Sequence, residues 1–132
     1  MIASVTLGVS DIDDAMTFYR QFMEVIGWDE KFATRRSPPG PWAGWHPLGA
    51  AGPLFILSHP DNPHSPAMPG GGAVVSFEVA SPALVEAAYD EALALGGKGL
   101  RAPGRSYPAT DYAASIRDPF GNALRIVCHQ AD

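Results

Sequence analysis

The chain has 132 residues, of which 46% are hydrophobic and 17% charged, a composition typical of one globular domain and not of a disordered chain. Its 14 acidic residues outnumber the 9 Lys and Arg, so the net charge of −5 disfavours nucleic acid or an anionic membrane surface as a partner. There is no apolar run near the roughly 20 residues that span a bilayer, no secretory signal pattern and a single cysteine. We therefore expect a soluble, cytoplasmic protein without an intramolecular disulfide.

The first half of the chain begins with apolar and polar residues in alternation, as in a strand, and continues with apolar residues at helical spacing. Val5, Leu7 and Val9 share one face of a strand predicted over residues 4–9, and Ser10 or Asp11 can cap the helix that follows. Apolar residues at helical spacing predict the buried side of this helix: Ile12, Ala15, Met16, Tyr19, Phe22 and Met23. Three shorter strands are predicted over residues 28–34, 42–48 and 53–58.

The second half repeats this order of elements. A proline-rich segment over residues 59–72 precedes a strand predicted over residues 74–79. Ser81 is predicted to cap the second helix with Pro82 at its first position, and two consecutive glycines at 96 and 97 are predicted to end it. The three strands that follow are predicted over residues 97–102, 111–117 and 123–128.

The two halves match at a shift of 70 positions. This shift places the first strand on the strand over residues 74–79 and sets Tyr19 on Tyr89. It also places residues 54–57 on residues 124–127 without a gap. Because two strands and a helix match at one shift, the sequence predicts an internal duplication.

Three stretches of the sequence carry a resemblance to a known family. They are the run Val5-Thr6-Leu7-Gly8-Val9-Ser10-Asp11, the pair Phe18-Tyr19, and the turn Asp118-Pro119-Phe120-Gly121-Asn122. In this order, and with the duplication, they resemble the vicinal oxygen chelate superfamily of glyoxalases, bleomycin resistance proteins and extradiol dioxygenases. The resemblance covers nearly the whole chain. It implies an α+β fold of two βαβββ modules in tandem, curling around a central cavity with the helices outside.

Within this single domain, module 1 spans about residues 1–58, the linker residues 59–72, and module 2 about residues 73–129. Strand alternation places one apolar face of each first strand under a helix and leaves the opposite face for the cavity. On the 70-residue match, the last strand of each module puts Leu54 and Ile56, like Leu124 and Ile126, on the helix side. The residues expected to line a ligand cavity are therefore Ser4, Thr6, Phe55, Leu57, Val74, Ser76, Glu78 and Arg125, with Trp42 and Tyr112 as candidates on the third strand of each module.

Metal-dependent members of the family place four His or Glu ligands on the cavity faces. Carried over by position, the four residues here are Ser4, Phe55, Val74 and Arg125. Phe and Val side chains cannot coordinate a metal, a serine hydroxyl is a weak neutral donor, and a guanidinium repels a cation. We therefore expect no metal and no other cofactor.

Two questions about these residues stay open in the sequence. Arg125 needs a partner if it is enclosed, and this partner is either an anionic ligand or Glu78 on the neighbouring strand; the third possibility is a solvent-exposed Arg125. The match of Trp42 with Tyr112 gives them equivalent places without showing whether that place faces the cavity. Aromatic residues there would either stack on a ligand or fill the core.

The function expected is metal-free binding of a small amphipathic or anionic molecule, in the manner of bleomycin resistance proteins. One alternative is a glyoxalase-like lyase, isomerase or dioxygenase, for which Glu78 is the candidate acid or base. A second alternative is a non-catalytic interaction subunit whose cavity is filled by its own side chains. A homodimer is expected in each case, and neither nucleic acid nor membrane is expected as a partner.

Overall fold

The structure is a computed structural model that describes residues 1–35, 40–63, 65–106 and 110–129. Its elements are β1 (Ser4–Gly8), α1 (Ile12–Ile26), β2 (Trp28–Thr34), β3 (Trp42–Pro47), β4 (Leu54–Ser58), β5 (Val74–Glu78), α2 (Pro82–Ala94), β6 (Lys98–Ser106), β7 (Asp111–Arg117) and β8 (Ala123–His129). Over this described part, sheet A has the strand order β1-β4-β3-β2 and sheet B the order β5-β8-β7-β6. The predicted α+β fold of two tandem βαβββ modules is confirmed. Neither helix is long and apolar enough to cross a membrane.

The helix boundaries follow from local side-chain chemistry. Asp11 caps α1, because its carboxylate accepts a hydrogen bond from the Asp14 amide at 3.0 Å. Gly27 ends α1 at φ 85°, a conformation in which glycine carries no Cβ penalty. Ser81 caps α2 in the same way as Asp11 caps α1, and Pro82 occupies the first helical position as predicted.

One core joins the two modules. Helices α1 and α2 pack against each other, and each also packs on its own sheet. The Phe77 ring of β5 lies 5.2 Å from the Phe55 ring of β4 and 5.3 Å from the Trp28 ring, so aromatic side chains of both sheets meet directly. The inner sides of sheets A and B therefore belong to a single hydrophobic cluster.

The last strand of module 1 is shifted by one residue from the predicted match. Val5 pairs with Phe55 in sheet A, whereas Val75 pairs with Leu124 in sheet B, so Phe55 corresponds to Leu124 and not to Arg125. The third strand is displaced in the opposite sense, because Trp45 pairs with Phe55 and Ile116 pairs with Leu124. The duplication is real, but a gapless match at 70 positions is wrong for these strands because the modules differ in loop length.

The one-residue shift reverses the predicted face of β4, since side chains alternate along a strand. Phe55 points inward, with its ring 5.4 Å from that of Tyr19, and Leu57 is also fully buried in the core. Leu54 and Ile56, predicted on the helix side, take the outward positions. Tyr112 is likewise an inward residue, because its hydroxyl donates to the Glu86 carboxylate of α2 at 3.1 Å.

Candidate functional site

Each sheet has an outward side that faces away from the helices. In β1, Leu7 is buried in the core while Ser4 is exposed, and in β5, Phe77 is buried while Ser76 and Glu78 are exposed. We call the outward side of sheet A face A and that of sheet B face B. These faces carry the polar and aromatic side chains that the core does not use, so they are the candidate site.

Face A carries a pair of aromatic rings. The Phe32 and Trp42 rings lie 4.9 Å apart, and both side chains are half-buried. Gly44 makes room for this pair, because a Cβ there would lie 2.4 Å from the Phe32 ring. Trp42 pairs with Ser58 across the sheet, and its neighbour Ala43 is buried in the core, so the indole lies on the outward side. The pair offers a flat apolar surface of the kind on which an aromatic ligand can stack.

Face B carries a charged cluster of side chains from β7 and β8. The buried Asp111 carboxylate lies 2.9 Å from Nδ1 of His129 and 3.8 Å from Nη2 of Arg125. Arg125 also approaches the Ser106 hydroxyl at 3.5 Å. No ion pair joins Arg125 to Glu78 in the described chain, so the internal partner of the guanidinium is Asp111 instead.

The Asp111 carboxylate fixes the orientation of the His129 ring. A carboxylate only accepts hydrogen bonds, so the Nδ1 of His129 donates and Nε2 is left on the exposed side of the ring. The hydrogen bond and the negative charge of Asp111 raise the pKa of His129 above its usual range, and Glu78 adds a smaller effect in the same direction. Burial and the Arg125 charge oppose this rise. The ring therefore stays protonated up to a higher pH than an unperturbed imidazole does.

The linker covers one end of face A. A Cβ on Gly8 would lie 2.3 Å from the carbonyl oxygen of Ala67, so the linker backbone runs directly over the end of β1. Asn62 is buried here and donates to the Ser58 hydroxyl at 3.0 Å. The Gly70 amide donates a hydrogen bond to Oδ1 of Asn122 at 2.9 Å, and this contact connects the linker to module 2.

The predicted site residues divide between the outward faces and the core. Those on the outward faces are Ser4, Thr6, Trp42, Val74, Ser76, Glu78 and Arg125. Phe55, Leu57 and Tyr112 were predicted to line the site and instead point inward. Phe55 lines a cleft of about 210 Å³ between the modules, together with Val5 and Phe77.

Sequence reasoning missed four residues of the two faces. Ile56 was assigned to the opposite side of its strand, and Phe32 was not singled out. Asp111 and His129 were missed as a pair, although strand alternation from Arg125 already places His129 on the same face. Their pairing across β7 and β8 needs the register of the two strands, which the structure supplies.

The residues at the family's metal positions do not fit a divalent cation. With the corrected register, these positions hold Ser4 and Ile56 on face A and Val74 and Arg125 on face B. The set contains no carboxylate, imidazole or thiolate, and its one charged member is a cation. No group of three or more His, Cys, Asp or Glu side chains with a metal-binding arrangement occurs in the ranges that the structure covers.

Comparison with solved structures shows the same fold throughout the chain. A glyoxalase/bleomycin resistance protein from Albidiferax ferrireducens T118 is 24% identical, with a TM-score of 0.77 and 96% of both chains covered. A glyoxalase-related enzyme from Fulvimarina pelagi is 20% identical, with a TM-score of 0.73, and covers 97% of this chain and 87% of its own. A lactoylglutathione lyase from Agrobacterium tumefaciens is 20% identical, with a TM-score of 0.67, and covers 97% of this chain and 92% of its own.

Comparison with curated proteins gives no match. A family model matches residues 1–126, which include module 1, the turn at Asp118 and module 2 as far as the middle of β8. The model describes the Glyoxalase/Bleomycin resistance protein/Dioxygenase superfamily. The chain belongs to this superfamily.

Proposed function

We propose that this protein binds a small aromatic carboxylate, without a metal, between face A of one copy and face B of a second copy. The observation that carries the proposal is the guanidinium of Arg125 on face B, at a position where metal-dependent members of the family place a ligand. The aromatic pair Phe32 and Trp42 on face A supplies the apolar half of the site.

The charge distribution supports an anionic ligand. The protein is acidic overall, yet the strands from β6 to β8 carry five cationic residues: Lys98, Arg101, Arg105, Arg117 and Arg125. The carboxylates in the same strands and their connecting turn, Asp111 and Asp118, are both buried. Strands β6 to β8 are therefore a basic region on an acidic protein, which attracts anions, and Arg125 can bind a carboxylate in bidentate geometry.

A second copy is part of the proposal because faces A and B lie on opposite sides of a shared core. The inner sides of the two sheets meet at Phe55 and Phe77, so the outer sides of one chain are not in contact with each other. β1 and β5 are edge strands in the described sheets, and Val74 of β5 is 60% exposed. Exposed edges and apolar side chains are stabilised when a partner covers them.

Of the alternative functions, metal-dependent lyase chemistry has no support in this chain. The lactoylglutathione lyase shares the fold at 20% identity, a level that carries no residue-level role. The side chains at the corresponding metal positions are not ligands, as described above. Among the described residues, the linker packs on the end of face A at Gly8 and leaves Phe32 and Trp42 half-buried, which argues against a fully plugged interaction subunit.

Calorimetric titration with 3-phenylpropanoate and its neutral amide tests this function. We expect the carboxylate to bind and the amide to bind at least ~10-fold more weakly, because only the carboxylate can pair with Arg125. Arg125→Ala should weaken binding of the carboxylate by a similar factor. Arg35→Ala is the matched control, since Arg35 pairs with Asp13 on the exposed side of α1 and should leave the affinity unchanged. Equal binding of acid and amide, or full affinity in Arg125→Ala, would contradict the proposal.

A further inference from the structure

The Asp111–His129 pair is arranged for more than binding. Asp111 is 5% exposed, and its carboxylate fixes the Nδ1 side of the imidazole at 2.9 Å, while the His129 side chain is about half exposed. A buried carboxylate that orients an exposed imidazole is the arrangement used by enzymes to position a general base. Simple anion binding does not require this orientation, because an exposed charged ring serves equally well in any rotation.

Arg125 lies on the same strand and face, four residues before His129. Its guanidinium is 3.8 Å from the other oxygen of Asp111, so the cation and the imidazole flank one carboxylate. A ligand carboxylate held by Arg125 therefore places its neighbouring carbon atoms beside the His129 ring. Glu78 is also on this face, but it makes no hydrogen bond within the described residues that would orient it as a base.

We propose that face B catalyses a metal-free proton transfer, with His129 as the general base, Asp111 as its positioning residue, and Arg125 as the anchor for an aromatic 2-oxo acid. The inference rests on the proposed function and adds a reaction to it. A 2-oxo acid fits because it joins a carboxylate to a carbonyl group whose neighbouring C–H bond is acidic.

The step balances without an oxidant or a second substrate. Nε2 of His129 takes a proton from the carbon next to the carbonyl group, and the C–H electron pair becomes the C=C bond of an enolate. The carbonyl π electrons move to oxygen, where the positive charge of Arg125 stabilises the negative charge. The proton returns from His129 either to the oxygen, which gives the enol, or to carbon, which restores the ketone.

The pH dependence of this step has a defined sign. His129 acts as a base only when its ring is neutral, so the rate rises with pH around the pKa of His129. Asp111 on β7 and Glu78 on β5 raise this pKa, whereas Arg125 on β8 lowers it. Replacing Asp111 by Asn removes the largest effect, so the midpoint of the pH profile should move to lower pH.

Hydrogen–deuterium exchange at C3 of phenylpyruvate tests the inference. Proton NMR in deuterium oxide measures this exchange as the loss of the C3 proton signals. We expect wild-type protein to accelerate exchange over buffer, and His129→Gln to reduce the rate by at least ~100-fold while phenylpyruvate still binds. Asp111→Asn should slow exchange and shift its pH midpoint downward, a change that a merely structural role would not produce. His59→Gln is the control, because His59 is a second histidine beside an aspartate, Asp61, but lies in the linker.

The outcomes separate this inference from the proposed function. If phenylpyruvate binds in an Arg125-dependent manner but its exchange is not accelerated, the proposed binding function is supported and the role of His129 as a general base is wrong. Full exchange in His129→Gln would also overturn it. Phenylpyruvate that does not bind at all would overturn both.

Discussion

At the scale of single residues, buried hydrogen bonds join the two modules. Tyr19 of α1 donates its hydroxyl proton to the Asp118 carboxylate at 2.5 Å, and both residues are buried. Burial, followed by the charge and hydrogen bond of Asp118, raises the pKa of Tyr19 well above its usual value, so the phenol stays protonated. Asn122 continues the contact, because its amide donates to Asp118 at 3.0 Å and to the Gly8 carbonyl at 2.8 Å.

Tyr19→Phe should therefore destabilise the fold. The change removes one donor from a buried carboxylate, which costs about 1–3 kcal/mol in the free energy of unfolding. Urea denaturation followed by circular dichroism measures this difference. Tyr112→Phe is the matched control, since the Tyr112 hydroxyl bonds the exposed Glu86 carboxylate and its loss should change stability by less than about 0.5 kcal/mol. Equal stability of the two variants would show that the Asp118 contact does not hold the modules together.

At the scale of elements, the linker is held against β1 by close backbone packing. The outward side of Gly8 has no space for a side chain, because a Cβ would lie 2.3 Å from Ala67. The linker is also fixed at Gly70 by Asn122, whose amide bonds the Gly8 carbonyl. Two adjacent contacts thus set how far the linker extends over face A.

We expect Gly8→Ala to push the linker away from β1 and to cost about 1–3 kcal/mol in the free energy of unfolding. Gly104→Ala is the control, because its Cβ would have its nearest neighbour at 4.0 Å and should change stability by less than about 0.5 kcal/mol. Hydrogen exchange of the linker amides follows the displacement directly. Unchanged protection and stability in Gly8→Ala would argue that the linker does not pack there.

The elements themselves were predictable, but their relative register was not. Strand alternation and the caps at Asp11 and Ser81 are local signals, and the structure confirms each of them. The face of β4 depends on the length of the loops before it, and a single extra residue reverses Phe55 and Ile56. Loop lengths evolve freely after a duplication, so a repeat found at one offset does not fix the last strand.

At the scale of the whole molecule, the candidate site depends on contacts that no local pattern contains. Arg125 was predicted from its strand position and does lie on face B. Asp111, the partner of Arg125, lies on a different strand. The pairing of Asp111 with His129 follows only from the register of β7 and β8. Homodimer formation and cytoplasmic location stay predictions, and the first of these is built into the proposed function.

The most direct test of this function mixes two binding-deficient variants, Trp42→Ala and Arg125→Ala. If each site combines Trp42 of one copy with Arg125 of another, a mixed dimer has one intact site and one doubly altered site. Unfolding and refolding an equal mixture should then restore binding of 3-phenylpropanoate to about one quarter of the sites, while each variant alone binds weakly. Restoration to this level is the result that we predict. No restoration in the mixture, with wild-type protein refolded in parallel and binding fully, would contradict a site shared between two copies.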